Sequence, residues 1–94
     1  MEEKFIAAWQ ENREKALALG VRIRPIEPKN ALKNAKYQLS GSRRSEGFDA
    51  LAAKNALSLS LEALAADRRF TALFTDEEAN NALERLLDAG YFAK

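Results

Sequence analysis

The chain has 94 residues, of which 47% are hydrophobic and 31% are charged, and its formal net charge is +1. Disordered chains combine low hydrophobicity with high net charge, so this composition instead predicts one small folded domain over residues 1–94. The sequence contains no cysteine and no histidine, which excludes disulfides and removes the usual zinc ligands.

The missing side chains also bear on function. Most general acid–base and nucleophilic sites use histidine or cysteine. We therefore expect a non-enzymatic protein with no catalytic residue, no metal site and no cofactor. The first residues, Met1 to Lys4, are acidic where a signal peptide is basic, and no apolar run reaches the about 18 residues of a membrane span. The expectation is a cytoplasmic protein without membrane contact.

The first predicted helix covers residues 2–19. Gly20 follows it as a residue suited to end a helix with a positive φ. The apolar residues that fall on one side at helical spacing are Phe5, Ile6, Trp9, Ala16 and Leu17. Residues 21–24 then alternate like a strand, but Pro25 cannot donate a ladder hydrogen bond. We predict an extended connector at 21–26, with a minor short strand there as the alternative.

A second helix is predicted from Pro28 to Leu39, because proline suits the first helical turn. A short third helix should follow the polar loop at 40–45. Ser45 is placed to cap it, and Glu46 and Asp49 would complement its dipole. Its apolar residues are Phe48, Leu51 and Ala52, and Asn55 is a candidate for its end.

The C-terminal half predicts two further helices. Ser60 is placed to cap a helix over 61–68, and one apolar turn follows at Phe70, Leu73 and Phe74. Residues 75–78 have the sequence of a capping box, so the last helix should start there and end at Gly90. Its predicted buried stripe contains Ala79, Ala82, Leu83, Leu86 and Leu87.

Together these patterns predict an all-α fold of four to five short helices, with helix over more than half of the residues. The first and last helices should supply most of the core, through Phe5, Trp9, Leu17, Leu83, Leu86 and Leu87. Tyr91 and Phe92 are expected to fold back on the core. They are also the candidate contacts of a homodimer, since a short apolar chain gains from sharing a face.

The charges are divided unevenly along the chain. Residues 1–44 carry ten Lys/Arg and five Glu, whereas residues 45–94 carry five Lys/Arg and nine Asp/Glu. On the second helix, three lysines fall at i, i+4 and i+7 and form a stripe facing away from the apolar side, with Asn30, Asn34 and Tyr37 beside it. With the arginines before and after the helix they form the basic strip, which contains Arg22, Arg24, Lys29, Lys33, Lys36, Arg43 and Arg44.

The basic strip predicts a binding function. Between residues 22 and 44 the sequence contains these seven cations and a single anion, Glu27. Several cations with amide and aromatic neighbours suit the phosphates of a nucleic acid. One alternative is an ordinary solvated helix face. Another is a protein–protein interaction module, adaptor or inhibitor, which uses either the basic strip or the acidic C-terminal helix. We therefore expect a small regulatory binding protein whose partner is nucleic acid or another protein.

Two patterns near the C-terminus are less specific. Glu84 and Asp88 lie at i, i+4 and could hold a hard cation, but a solvated acidic face opposite the leucines is by far the better explanation. Residues 61–66 and 82–91 resemble the helix-turn-helix of winged-helix regulators. The connection between them is longer than the usual tight turn, and the last helix begins with three acidic residues that would repel phosphates. No recognition residue is carried over from that family.

Overall fold

The computed structural model describes residues 2–41 and 43–91. Within these ranges helices cover 69% of the residues and no strand is present, which confirms the all-α fold and leaves 21–26 as an extended connector. The helices are α1 (Glu2–Ala18), α2 (Ala31–Ser40), α3 (Phe48–Ala53), α4 (Leu61–Ala66) and α5 (Asp76–Asp88), and 3₁₀ turns occupy Pro28–Asn30, Leu57–Leu59 and Thr71–Leu73. None of the helices in the described ranges is long and apolar enough to cross a membrane.

Three helices end at a residue with positive φ, which lets the chain reverse direction. Gly20, Asn55 and Gly90 have φ values of 85°, 57° and 75°. After α1, the Val21 amide donates to the Ala16 carbonyl at 2.9 Å, the long-range bond of a Schellman motif. The predicted ends at these three residues are therefore confirmed.

Two helices begin with the caps that the sequence predicts. The Ser60 hydroxyl accepts a hydrogen bond from the Ala63 amide at 3.1 Å. The Thr75 hydroxyl accepts from the Glu78 amide at 3.1 Å, and the Glu78 carboxylate accepts from the Thr75 amide at 2.8 Å, so the capping box is complete. Helix α4 is shorter than predicted, because it ends at Ala66 and not at residue 68.

The start of α3 differs from the prediction. Gly47, with a φ of +81°, occupies the position before the helix, and the amide and hydroxyl of Ser45 donate to the buried carboxylate of Glu62 instead of capping. A Cβ at residue 47 would lie 3.0 Å from Cγ1 of Ile23, so glycine is favoured by space as well as by conformation. A long-range contact has replaced the local cap.

The apolar core contains two clusters. In the first, the Phe5 ring lies 5.7 Å from Trp9, 5.5 Å from Phe70 and 5.4 Å from Phe74, with the two phenylalanines edge-on to it. Such pairs add to the stability gained from burial. The second cluster lies at the other end of α1 and contains Ala16, Val21, Phe48, Leu51, Leu57 and Leu86.

The predicted core is wrong at three leucines. Leu17, Leu83 and Leu87 are 41%, 38% and 61% exposed, whereas Phe5, Trp9 and Leu86 are buried as predicted. The cause on α5 is a rotation of its buried face, which contains Glu78, Ala82, Arg85 and Leu86. Two charged residues thus lie where leucines were expected.

Arg85 is buried because it forms an ion pair inside the protein. Its Nη1 lies 3.1 Å from Oε2 of Glu62, and the two side chains are only 8% and 0% exposed. The guanidinium also donates to the carbonyls of Gln38 at 3.1 Å and Gly41 at 2.6 Å. The last carbonyls of a helix have no partner within it, so Arg85 both satisfies them and fixes the end of α2 to α5.

Candidate nucleic-acid interface

Helix α2 buries one face and presents the other to solvent. Ala31, Ala35 and Leu39 are buried against the rest of the protein. On the opposite side Lys33 is exposed, and the Tyr37 side chain stands out with 80% of its surface accessible. The structure therefore places the centre of the basic strip on the surface, beside an aromatic ring.

The cations of the basic strip fall into two groups. Three form ion pairs, which are Arg24–Glu46 at 3.3 Å, Lys36–Glu78 at 2.9 Å and Arg44–Asp49 at 2.8 Å. Within the described residues the other four have no carboxylate at ion-pair distance and are exposed; these unpaired cations are Arg22, Lys29, Lys33 and Arg43. The strip thus holds four positive charges that no carboxylate of residues 2–41 and 43–91 neutralises in an ion pair.

Two of the paired arginines remain accessible to a ligand. The Arg24 side chain is 90% exposed and that of Arg44 is 46% exposed. Exposed ion pairs contribute only about 0 to 1 kcal/mol, because water and salt screen them. A phosphate could therefore compete with Glu46 or Asp49 for these guanidinium groups.

Lys36 lies at the edge of the buried face of α2 and not on the solvated stripe where the sequence placed it. Its ammonium group donates to the carbonyl of Leu73 at 3.1 Å and to the carboxylate of Glu78 at 2.9 Å. These bonds join α2 to the segment that starts α5. We assign Lys36 a structural role, which leaves Lys29 and Lys33 as the exposed lysines of the strip.

The bonds of the Glu78 carboxylate to the Thr75 amide and to Lys36 make stability depend on pH. Burial by itself would raise the pKa of Glu78, but the hydrogen bond from the Thr75 amide and the charge of Lys36 outweigh it and hold this pKa below its ordinary value. A carboxylate with a lowered folded-state pKa stabilises the fold above its unfolded pKa of about 4.3. That contribution is lost as the pH falls through the folded-state pKa.

We therefore expect Glu78→Gln to be less stable than the wild type near neutral pH and to lose less stability on acidification below about pH 4.3. Urea unfolding over a pH series measures both effects. Glu77→Gln removes an exposed carboxylate from the same helical turn and is the matched control. Parallel pH profiles for the wild type and Glu78→Gln would show that the charge of the Glu78 carboxylate does not stabilise the fold.

A crevice of about 290 Å³ opens between α2 and the connector at 21–26. The connector is held to α1 by Arg13, whose Nε donates to the carbonyls of Ile23 at 2.8 Å and Arg24 at 3.2 Å. On its other side the Arg24 amide donates to the Glu46 carboxylate, and the Glu46 amide donates to Oε1 of Gln38 on α2 at 3.2 Å. A continuous set of hydrogen bonds therefore frames the crevice.

The crevice has a buried apolar side and a polar rim. Trp9 and Leu61, which are 5% and 4% exposed, border it from the core, and Asn34 and Tyr37 border it from the exposed face of α2. Tyr37 also borders a second depression that contains Arg43 and Arg44. Its ring thus lies between the crevice and the arginines that follow α2.

The exposed face of α5 is acidic and carries two leucines. Glu84 and Asp88 form no ion pair with a described residue, and no group of three potential metal ligands occurs in the described part of the chain. Leu83 and Leu87 lie next to them and are both exposed. Phe92, which the sequence pairs with Tyr91 as a dimer contact, lies outside the described residues, and Tyr91 is 38% exposed.

Comparison of the chain with protein-family models, with curated proteins and with solved structures finds no match in any of the three. The function is therefore argued from the geometry and chemistry of the site.

Proposed function

We propose that this protein is a small, non-enzymatic regulatory binding protein that engages nucleic-acid phosphates through the basic strip. The observation that carries the proposal is the set of four exposed cations that no described carboxylate neutralises, on α2 and on the segments before and after it. A phosphate backbone presents closely spaced negative charges, and each contact with a cation releases counterions.

The type of contact predicts the type of recognition. Lysine and arginine side chains on one exposed surface position a phosphate backbone, whereas sequence is read through base edges. The strip should therefore bind different sequences with similar affinity. The acidic first turn of α5, with Asp76 and Glu77 exposed, should stay away from the bound strand because like charges repel.

A second candidate function is docking of a basic partner protein on α5. The observation that favours it is the pair of exposed leucines, Leu83 and Leu87, which lie one helical turn apart beside Glu84 and Asp88. An apolar pair flanked by carboxylates suits a segment that carries both apolar and basic side chains. The basic strip could likewise take an acidic protein.

The salt dependence of binding tests the first proposal. We expect the affinity for DNA or RNA to fall steeply with salt, and Lys29→Ala/Lys33→Ala to reduce the slope of log K against log salt by roughly 1.4 to 1.8, since each phosphate contact contributes about 0.7 to 0.9. Fluorescence anisotropy with labelled oligonucleotides measures this slope. The loss should be similar for every sequence.

The matched control is Lys54→Ala/Arg68→Ala, which removes the same charge from exposed positions outside the strip. Its salt slope should equal that of the wild type. Absence of binding to single- and double-stranded nucleic acid at low salt would contradict the proposal, as would equal losses in the two double variants. Absence of binding would leave protein docking as the function, whereas equal losses would mean that nucleic acid is not bound through the basic strip.

A further inference from the structure

The crevice beside the basic strip has the size of a site for one planar ring system. Its volume of about 290 Å³ lies just below the roughly 300 to 1,000 Å³ of small-molecule pockets, as expected for a site that takes one small ring system. Apolar groups from Trp9, Ile26 and Leu61 border it on the core side. Such a site takes a flat, largely uncharged group more readily than a phosphate, particularly because the Glu46 carboxylate also borders it.

The crevice also offers hydrogen-bond donors to a ligand. The indole N–H of Trp9 makes no hydrogen bond with any described residue. Trp9 borders the crevice, so this N–H is a candidate donor to a ligand bound there. On the rim, the Asn34 oxygen accepts from Gln38 at 3.4 Å, which leaves the Asn34 amide nitrogen to donate.

Two further residues, Tyr37 and Arg24, border the crevice where it opens to solvent. The Tyr37 ring is 80% exposed and borders the crevice, so one of its faces is available for stacking. Arg24, on the connector, also borders the crevice, and its side chain is 90% exposed. The crevice thus has an aromatic residue of α2 and a cationic residue of the connector among the residues that border it.

We propose that the crevice receives one unpaired base of a single-stranded nucleic acid whose phosphates lie along the basic strip, an inference that rests on the proposed function. Bases carry ring-nitrogen and carbonyl acceptors on their edges, which match donors from Trp9 and Asn34. Single strands can splay a base out and stack it on an aromatic side chain, whereas the bases of a duplex are held in the stack. The protein therefore prefers single strands to duplexes.

Trp9 provides the test, because it is the only tryptophan in the sequence and borders the crevice. The wild-type protein is titrated with a short single-stranded oligonucleotide, with an abasic strand of equal length, with the corresponding duplex and with a nucleoside monophosphate. Anisotropy or competition reports binding of the phosphates, and Trp9 emission reports occupation of the crevice. We expect the base-containing single strand to bind most tightly and to be the strand that changes the Trp9 emission.

The variant for this test is Tyr37→Ala. Stacking contributes about 1 to 3 kcal/mol per base, so the ratio of affinities for the base-containing and abasic strands should fall roughly 5- to 150-fold. Tyr37→Phe keeps the ring and should keep the ratio. Because Tyr37 is exposed, neither variant should alter the unfolding curve, which is measured in parallel.

Each contrary outcome has a separate meaning. Equal binding of the base-containing and abasic strands with no change in Trp9 emission would overturn the base site and leave phosphate binding intact. An equal emission change with the abasic strand or the duplex would also overturn it. A full emission change with the nucleoside monophosphate at lower concentration than with the strand would assign the crevice to a free nucleotide. No binding of any strand would remove the proposed function itself.

Discussion

Replacing Arg85 with methionine is expected to reduce the free energy of unfolding by roughly 3 to 5 kcal/mol, because it leaves the Glu62 carboxylate buried without its counter-ion. Glu62 is fully buried, and of its hydrogen bonds with described residues it would keep those from Ser45 alone. The carbonyls of Gln38 and Gly41 would also lose their donor. Since small domains are stable by only about 5 to 15 kcal/mol, the variant should lie close to unfolding.

Arg69→Met is the matched control for this prediction, because Arg69 forms an exposed ion pair with Asp67 at 3.0 Å. Exposed pairs contribute about 0 to 1 kcal/mol, so this change should be small. Urea denaturation of the two variants and the wild type measures the difference. Equal losses in Arg85→Met and Arg69→Met would mean that the buried pair does not hold α2 against α5.

Replacing Phe5 with alanine should cost roughly 3 to 5 kcal/mol, the usual cost of removing a buried aromatic ring. Phe5 is completely buried and contacts Trp9, Phe70 and Phe74, so the truncation leaves a cavity at the centre of the first apolar cluster. Denaturant unfolding measures this loss of stability. The unfolding is followed by circular dichroism, so that a change in the surroundings of Trp9 does not affect the signal.

Leu87→Ala is the control, because Leu87 belongs to the core that the sequence predicts but not to the core that the structure shows. Leu87 is 61% exposed, so its truncation should change stability by no more than about 0.5 kcal/mol. If Leu87→Ala proved as costly as Phe5→Ala, α5 would bury the face that the sequence predicts.

The features that the sequence predicts correctly are those decided within a few residues. The Ser60 cap, the Thr75 capping box and the reversal at Gly20 all depend on bonds between neighbours along the chain. Local side-chain chemistry is sufficient to specify such bonds. Trp9 and Phe5 are also predicted correctly, because an aromatic ring removes a larger apolar area from water on burial than an aliphatic side chain does.

The features that the sequence misses depend on contacts between distant residues. Pattern analysis puts leucine inside and arginine outside, so it selects Leu83 and Leu87 for the core of α5. Burial of Arg85 requires Glu62, which is 23 residues away, and the same carboxylate draws Ser45 from its predicted cap. A buried pair of opposite charges has no periodic signature and therefore cannot be recognised from one segment.

The candidate site also has features that the sequence predicts and features that it misses. Helical spacing correctly places Lys33 and Tyr37 on the surface, but it cannot show that Lys36 is held by Glu78, which is 42 residues away. The sequence does not predict the crevice, because its walls come from α1, the connector, α2, the loop before α3 and the start of α4. One signal was present, since Arg13 interrupts the apolar stripe of α1 one turn after Trp9, and its guanidinium holds the connector that forms one wall.

An amide NMR titration with a short single-stranded oligonucleotide tests the proposed binding surface most directly. At low salt we expect the largest shift changes on α2 and its flanking segments, around Lys29, Lys33, Tyr37 and Arg43, with a return to the free spectrum as salt is raised. The exposed acidic face of α5, around Glu84 and Asp88, should show little change. Changes confined to α5, or a spectrum unaffected by the oligonucleotide, would contradict nucleic-acid binding through the basic strip.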